Sequence, residues 1–474
     1  MLEKIFKLKA NNTTVKTEIM AGLTTFMTMA YIIALNPNMM TNFDTGSALW
    51  NGVFMSTIIA SAIGMFVMAF YANKPFALGP GMGLNVFFAA VATNVVALTG
   101  MTYLQSFRAT MCIILLEGLV FLILSVFNVR DKIIDAIPLG IRLGVSPGVG
   151  MMLLNIGFGS NAGVYSETGG PFYVLRDFFG SLTPSFAQTA MGSGYSATVL
   201  NVITMFVGLF LIVILAQKKV PGAMLIGMLI SCVFYWACEA IFMGINPFAA
   251  LATASFAPPV VDWAETTLFK FDFAALMELG WLTVVTLTLT FFIIDMFDTI
   301  GTVIGASALG GMLDENGDMP GMKQALLADS VATIAGGATG NCTITTFVES
   351  AAGVEAGGRT GLTALTCGIL FLACMFIAPI AALIPPAVTS AALIYVGILM
   401  VSGLKNLNFN DPCQLVPAAL MLITIPISSS IGNAIGIAMI SFVVIKCGMG
   451  KAKEVHWLTY VLTLIFLVKF FAVV

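Results

Sequence analysis

Carboxylates, an amide and hydroxyls set inside long apolar runs are where this sequence concentrates its chemistry. The run Phe291-Phe-Ile-Ile-Asp-Met-Phe-Asp-Thr-Ile-Gly-Thr puts Asp295 and Asp298 three residues apart, so on a helix they share a face, with Thr299 and Thr302 following. Two carboxylates this close do not both ionise easily, and a proton held between them is a means of coupling uptake to a proton gradient. Bracing a neighbouring helix is the alternative role, stronger for Asp295 than for Asp298. A second run, Thr345-Thr-Phe-Val-Glu-Ser, carries Glu349, and a third, Leu78-Gly-Pro-Gly-Met-Gly-Leu-Asn, carries Asn85 with both a donor and an acceptor. A charged side chain at membrane depth costs about 2.5 to 3.5 kcal/mol on insertion scales, so each needs a partner or a task. No Lys or Arg stands among these groups, which disfavours an anion and suits a cation or a neutral, flat, donor-rich molecule. Phe87, Phe88, Phe297 and Phe347 lie beside them, placed either to stack on a planar ring or to pack against lipid.

The elements that must position these residues are transmembrane helices. Of 474 residues 59% are hydrophobic and 9% charged, against about 25% charged in soluble domains, and mean hydropathy is +1.01. Seven apolar stretches occur before residue 245 and seven more between 279 and 446, predicting fourteen spans; a further run over 456–473 either crosses or lies in the interface. The first stretch follows Lys4, Lys7, Lys9 and Lys16 and contains Asn36 and Pro37 rather than a cleavage site, so it reads as a retained span. With a cytoplasmic N-terminus, fifteen of the twenty basic residues fall inside, Arg130 and Lys132 among them, and only Arg176 and Lys270 fall in outer loops. Halves of seven spans are inserted upside down relative to each other, so similarity between them implies an inverted repeat. Ile137-Pro-Leu-Gly against Ile384-Pro-Pro-Ala, and Gly222-Ala-Met-Leu-Ile-Gly against Gly432-Asn-Ala-Ile-Gly-Ile, point that way.

Two spans are expected to be broken. Gly79, Pro80, Gly81 and Gly83 cannot sustain a helix in the third span, and the β-branched start of the tenth, Asn341-Cys-Thr-Ile-Thr-Thr, predicts an extended piece entering a short helix. Such backbone is tolerated in hydrocarbon only against protein or a water-filled cavity; a tight crossing of small residues is the other account of the third span. Glu355 and Arg359 are spaced as a structural pair, and Asp329 and Glu117 read as hydrogen-bonding to neighbouring helices. The sequence carries no phosphate loop and no HExxH motif, and its single histidine, His456, is placed at an interface. Eight cysteines without CxxC spacing read as core hydrophobes, and a net charge of −3 gives no basic face for nucleic acid. An anion carrier or channel would call for a basic residue or unopposed helix N-termini at the third and tenth spans, and a receptor for a sizeable soluble domain.

Three motifs taken together, Gly81-Met-Gly-Leu-Asn, Phe297-Asp-Thr-Ile-Gly-Thr and Thr345-Thr-Phe-Val-Glu-Ser-Ala-Ala-Gly, the last continued by Gly357-Gly-Arg-Thr-Gly, resemble the AzgA-like purine permeases of the nucleobase/ascorbate transporter group. The resemblance covers nearly the whole chain. It implies an all-α polytopic membrane protein of fourteen spans in a 7+7 inverted repeat, divided into a core domain (1–127 and 246–384) and a gate domain (128–245 and 385–474, with the C-terminal apolar segment). It further implies proton-coupled import of a purine base, hypoxanthine or guanine first, by an elevator-like movement of core against gate, with no cofactor beyond the ion gradient. Adenine selectivity and sodium coupling remain open alternatives, and a homodimer is one assembly. Carried over by motif, Asn85, Asp298, Thr302, Phe347, Val348 and Glu349 are the substrate-binding candidates, and Asp298, Glu349 and Asp295 the proton-coupling candidates. Thr302 stands where uracil carriers have a histidine, which leaves the proton to Asp298 and Glu349. Asp295 has no firm counterpart and rests on the shared helical face. The expected setting is a plasma membrane, the cell inner membrane in a bacterium.

Overall fold

The glycine-proline run does not continue as a helix. In the computed structural model Leu78–Pro80 is a short strand, β1, and the threonine-rich start of the tenth segment forms a second, β2 (Ile344–Thr346). The two pair antiparallel, with Leu78 opposite Thr346, Gly79 opposite Thr345 and Pro80 opposite Ile344. The structure describes residues 2–42, 44–127, 137–159, 195–252, 254–314, 319–428 and 430–472; Arg130, Lys132 and Arg176, used above for orientation, lie outside them.

Along the chain the principal helices are α1 (Val15–Met29), α2 (Ile32–Met40), α3 (Ala48–Val67), α4 (Met82–Thr99), α5 (Tyr103–Val126), α6 (Leu139–Phe158), α7 (Tyr195–Gln217) and α8 (Ala223–Cys238). They continue as α9 (Trp281–Leu309), α10 (Met322–Thr339), α11 (Ser350–Glu355), α12 (Gly361–Ala373), α13 (Pro386–Val401), α14 (Pro412–Ser428), α15 (Ile431–Gly448) and α16 (Trp457–Ala472). Their starts are written locally: the side chains of Thr14, Ser47, Thr360 and Ser430 each accept a backbone N–H of the first turn, and Thr102 with Gln105 forms a reciprocal capping box.

Eleven helices among the described residues are long and apolar enough to cross a membrane, while Pro412–Ser428 and Trp457–Val468 are apolar but shorter. The remaining predicted spans differ for physical reasons. Helix α10 has the length but carries Asp329, Ser330, Thr333 and Thr339, all buried against protein, and the tenth segment is divided between β2 and the six-residue α11.

The helices form two units. The first comprises Met1–Ile137, Phe256–Ala378 and Lys453–Val474. Within it α10 packs on α3 and α5, α12 on α1 and α3, α11 on α1, and both strands on their flanking helices. The sequence boundaries group the C-terminal apolar segment with residues 385 onward, whereas α16 packs along α9 and so belongs to this first unit. The second unit comprises Pro138–Ser255 and Pro379–Ala452, with α6 against α13 and α14, α14 against α15, and α7 against α8 and α13. Glycines one turn apart let its helices approach closely: a Cβ at Gly140 would lie 2.4 Å from the Gln414 carbonyl oxygen, and one at Gly144 3.0 Å from the Ala418 Cα. This is the small-residue packing by which membrane helices come together without a hydrophobic driving force.

Candidate substrate and coupling site

Backbone groups freed by the two breaks satisfy one another inside the first unit. Beyond the ladder, the Phe347 amide donates to the Ala77 carbonyl at 2.9 Å and the Gly81 amide to the Thr343 carbonyl at 3.1 Å. Ser350 closes the same corner: its hydroxyl oxygen accepts the Ala77 amide at 3.0 Å and lies 3.3 Å from the Ala77 carbonyl. Unpaired N–H and C=O groups at membrane depth would cost several kcal/mol each, so the crossing is self-sufficient and leaves side chains free to meet a ligand. Gly79 lets β1 pass close to the Phe347 ring, since a Cβ there would sit 3.0 Å from the ring edge and press it aside.

Glu349 lies three residues beyond the end of β2 and is half-buried, and its Oε1 accepts the Tyr31 hydroxyl at 2.7 Å. Tyr31 marks the interruption between α1 and α2, so the first span also contributes to the site. Of the residues ahead of Glu349, Phe347 is buried and Val348 is exposed. Asp298 and Thr302 are half-buried on α9, one turn apart, and the Phe297 side chain lies outside what the structure describes. Asn85 lies in the first turn of α4, fully buried, and bonds to the amide of Asn36 on α2 rather than to the Glu349 pair. Phe87 and Phe88 neither stack in a site nor face lipid: their rings pack 4.6 Å from Phe291 and 4.9 Å from Phe107 in the interior.

Behind the strands, three buried carboxylates accept threonine hydroxyls. Thr299 donates to Asp329 at 2.7 Å and is bonded to the hydroxyl of Thr345; Thr346 donates to the other oxygen of Asp329 at 3.1 Å. Asp295 receives longer contacts, from Thr299 at 3.4 Å and Thr333 at 3.5 Å, while Glu117 accepts Thr343 at 2.6 Å. Asp295 therefore turns toward α10 and is fully buried, whereas Asp298, three residues on, keeps some exposure, so the acids predicted to share a face differ in their surroundings. Among the described residues no group of His, Cys, Asp and Glu side chains is arranged to hold a metal ion. Thr299→Val removes the donor to Asp329 and the partner of Thr345 together, and is expected to destabilise the protein by about 1–3 kcal/mol. A lowered thermal midpoint of the detergent-purified variant, with Thr299→Ser near wild type, is the check.

Several residues of the site were not singled out in the sequence. Tyr31 gave no signal within its apolar run, although Asn36 and Asn341, amides among apolar neighbours, did. Glu18, a lone acid in the first span, is fully buried and accepts the Arg359 amide at 2.8 Å, the Thr360 amide at 3.2 Å and the Thr363 hydroxyl at 2.6 Å. Arg359 does not serve Glu355 as its spacing suggested; its guanidinium caps the end of α11 through the carbonyls of Val354 at 2.6 Å and Gly358 at 2.7 Å.

Comparison with known proteins extends this picture over the whole chain. The adenine permease AdeP of Escherichia coli (strain K12) is 34% identical over 99% of this chain and 96% of its own length. The guanine/hypoxanthine permease PbuO of Bacillus subtilis (strain 168) is 35% identical over 98% of this chain and 100% of its own. Among solved structures, the transmembrane domain of the cyanobacterial bicarbonate transporter BicA shares the fold, with a TM-score of 0.59, 14% identity, and coverage of 90% of this chain and 97% of that one. AdeP and PbuO are permeases and not enzymes, and the Xan_ur_permease model, described as a permease family, matches residues 16–439; the chain is a member of that permease family, a multi-pass membrane protein.

Proposed function

We propose that this permease imports purine bases, hypoxanthine or guanine first, together with protons. The observation that carries the reading is Glu349, a half-buried carboxylate beside the paired strands, one oxygen of which holds the Tyr31 hydroxyl while the other is left to accept a ring N–H. A purine carries N–H donors along its edges, and the site offers acceptors to meet them. Asp298 supplies a second acid on α9 for a proton that travels with the base. In this account the unit bearing the crossing strands is the core that moves against a gate formed by the other unit, in a plasma membrane with the N-terminus cytoplasmic.

Adenine is the second reading, because AdeP and PbuO, whose names give different purines, resemble this chain almost equally. Sodium in place of the proton would use the same carboxylates, and replacing sodium by choline separates the two. An anion substrate is disfavoured by Glu349 itself, despite the fold shared with BicA. Thermal unfolding of the purified protein tests the reading. A purine at about a hundred times its dissociation constant adds about 2.7 kcal/mol of stability and raises the midpoint, whereas uracil and bicarbonate leave it unchanged. Stabilisation by bicarbonate and by no purine would overturn the proposal.

A further inference from the structure

We infer that a relay of amides, Asn341 to Asn36 to Asn85, fixes which end of the Asn85 side chain is free. Asn85 then presents its carbonyl, so the transported base must supply an N–H donor at that point. This rests on the purine reading and on Asn85 belonging to the base site, and it adds a rule of specificity.

The polarity follows from one backbone N–H, whose hydrogen cannot be reassigned, and one hydroxyl agrees with it. The backbone N–H of Cys342 donates to Asn341 Oδ1 at 2.9 Å, so that atom is the oxygen and not the nitrogen. The Thr57 hydroxyl spends its proton on the Val53 carbonyl at 2.7 Å, so toward the asparagines it only accepts. It accepts Asn36 Nδ2 at 2.8 Å and Asn341 Nδ2 at 3.1 Å. Asn36 Nδ2 places its remaining hydrogen on Asn341 Oδ1 at 2.9 Å. Both anchors therefore turn the Asn36 amide the same way and leave its carbonyl facing Asn85, which donates to it through Nδ2 at 3.1 Å. Flipping Asn85 alone would set two carbonyl oxygens against each other; flipping the relay would break the contacts to Cys342 and Thr57.

The far end of Asn85 is then a carbonyl oxygen, buried and without a hydrogen-bond partner. The three amides and Thr57, drawn from α2, α3, α4 and the segment before β2, are fully buried. A buried acceptor left unpaired is costly, so the group that completes it is a donor. A base that turns a ring nitrogen or carbonyl toward Asn85 meets like polarity and is rejected.

Competition against labelled hypoxanthine uptake by the 1-, 7- and 9-methyl derivatives, each lacking one ring N–H, tests the relay. The wild type is expected to discriminate against at least one of them by roughly tenfold or more. Asn36→Leu releases Asn85 to rotate and narrows that ratio to about two- to threefold, whereas Thr57→Ser keeps the hydroxyl that accepts from Asn36 and Asn341 and retains it. A ratio unchanged in Asn36→Leu, with affinity for every base weakened alike, would show a purely structural amide and overturn the inference. If Asn36→Leu does not reach the membrane, the smaller change Asn36→Ala decides by the same reading: a narrowed ratio supports the relay, and an unchanged ratio overturns it. Absence of hypoxanthine uptake by the wild type would refute the purine reading itself, which separates that failure from a failure of the relay.

Discussion

Glu349→Gln is expected to weaken purine binding by about ten- to a hundredfold while leaving the protein folded. The substitution is isosteric, and the Tyr31 hydroxyl, now 2.7 Å from Oε1, can donate to an amide oxygen as it does to the carboxylate. What is lost is the charge on the oxygen offered to the ligand. Hydrogen bonds to charged groups contribute about 1.5–3 kcal/mol, the origin of the stated range. Tyr31→Phe keeps the charge and removes only the group that orients it, so a smaller loss, of roughly two- to tenfold, is expected. The KM for uptake, read beside the thermal midpoint of each purified variant, distinguishes a weakened site from a weakened fold. Wild-type KM in Glu349→Gln would remove this residue from the site.

Asp298→Asn is expected to uncouple transport rather than abolish it. One proton moving down 100 mV supplies about 2.3 kcal/mol, so a one-proton symporter accumulates its substrate roughly fiftyfold, and an uncoupled carrier only equilibrates it. In vesicles with an imposed gradient the Asn variant should therefore hold base at about the external concentration while still exchanging labelled for unlabelled base. Asp295→Asn should behave differently. Asp295 is fully buried among Thr299, Thr333 and the acids of α5 and α10, so its loss is expected to lower stability rather than the accumulation ratio of the protein that folds. Equal uncoupling by both variants would mean that the pair titrates as one group.

The contrast between these aspartates shows where the sequence was legible. Spacing placed both on one helical face, but a period of 3.6 residues cannot say which neighbouring helix fills part of that face. The strand crossing was readable because glycine, proline and β-branched residues act locally: Gly79-Pro80-Gly81 forbids a helix whatever surrounds it, and Ile344-Thr345-Thr346 favours an extended path. Pairings across the chain were not. Tyr31 meets Glu349 across 318 positions and Asn36 meets Asn341 across 305, and nothing in either segment encodes its partner. Aromatic roles were equally hidden, because in a chain this apolar a phenylalanine toward lipid and one toward the core look alike; Phe87 and Phe88 prove to be core. The same uniformity concealed the attachment of α16 to α9.

The most direct test of the account is uptake of labelled hypoxanthine, guanine, adenine, xanthine and uracil in cells lacking their own purine carriers, with and without a protonophore. One or two purines, hypoxanthine or guanine foremost, are expected to accumulate and to be lost when the proton gradient is removed, with no accumulation of uracil. Accumulation of no base, or accumulation of purines indifferent to the protonophore and dependent on sodium, would contradict it.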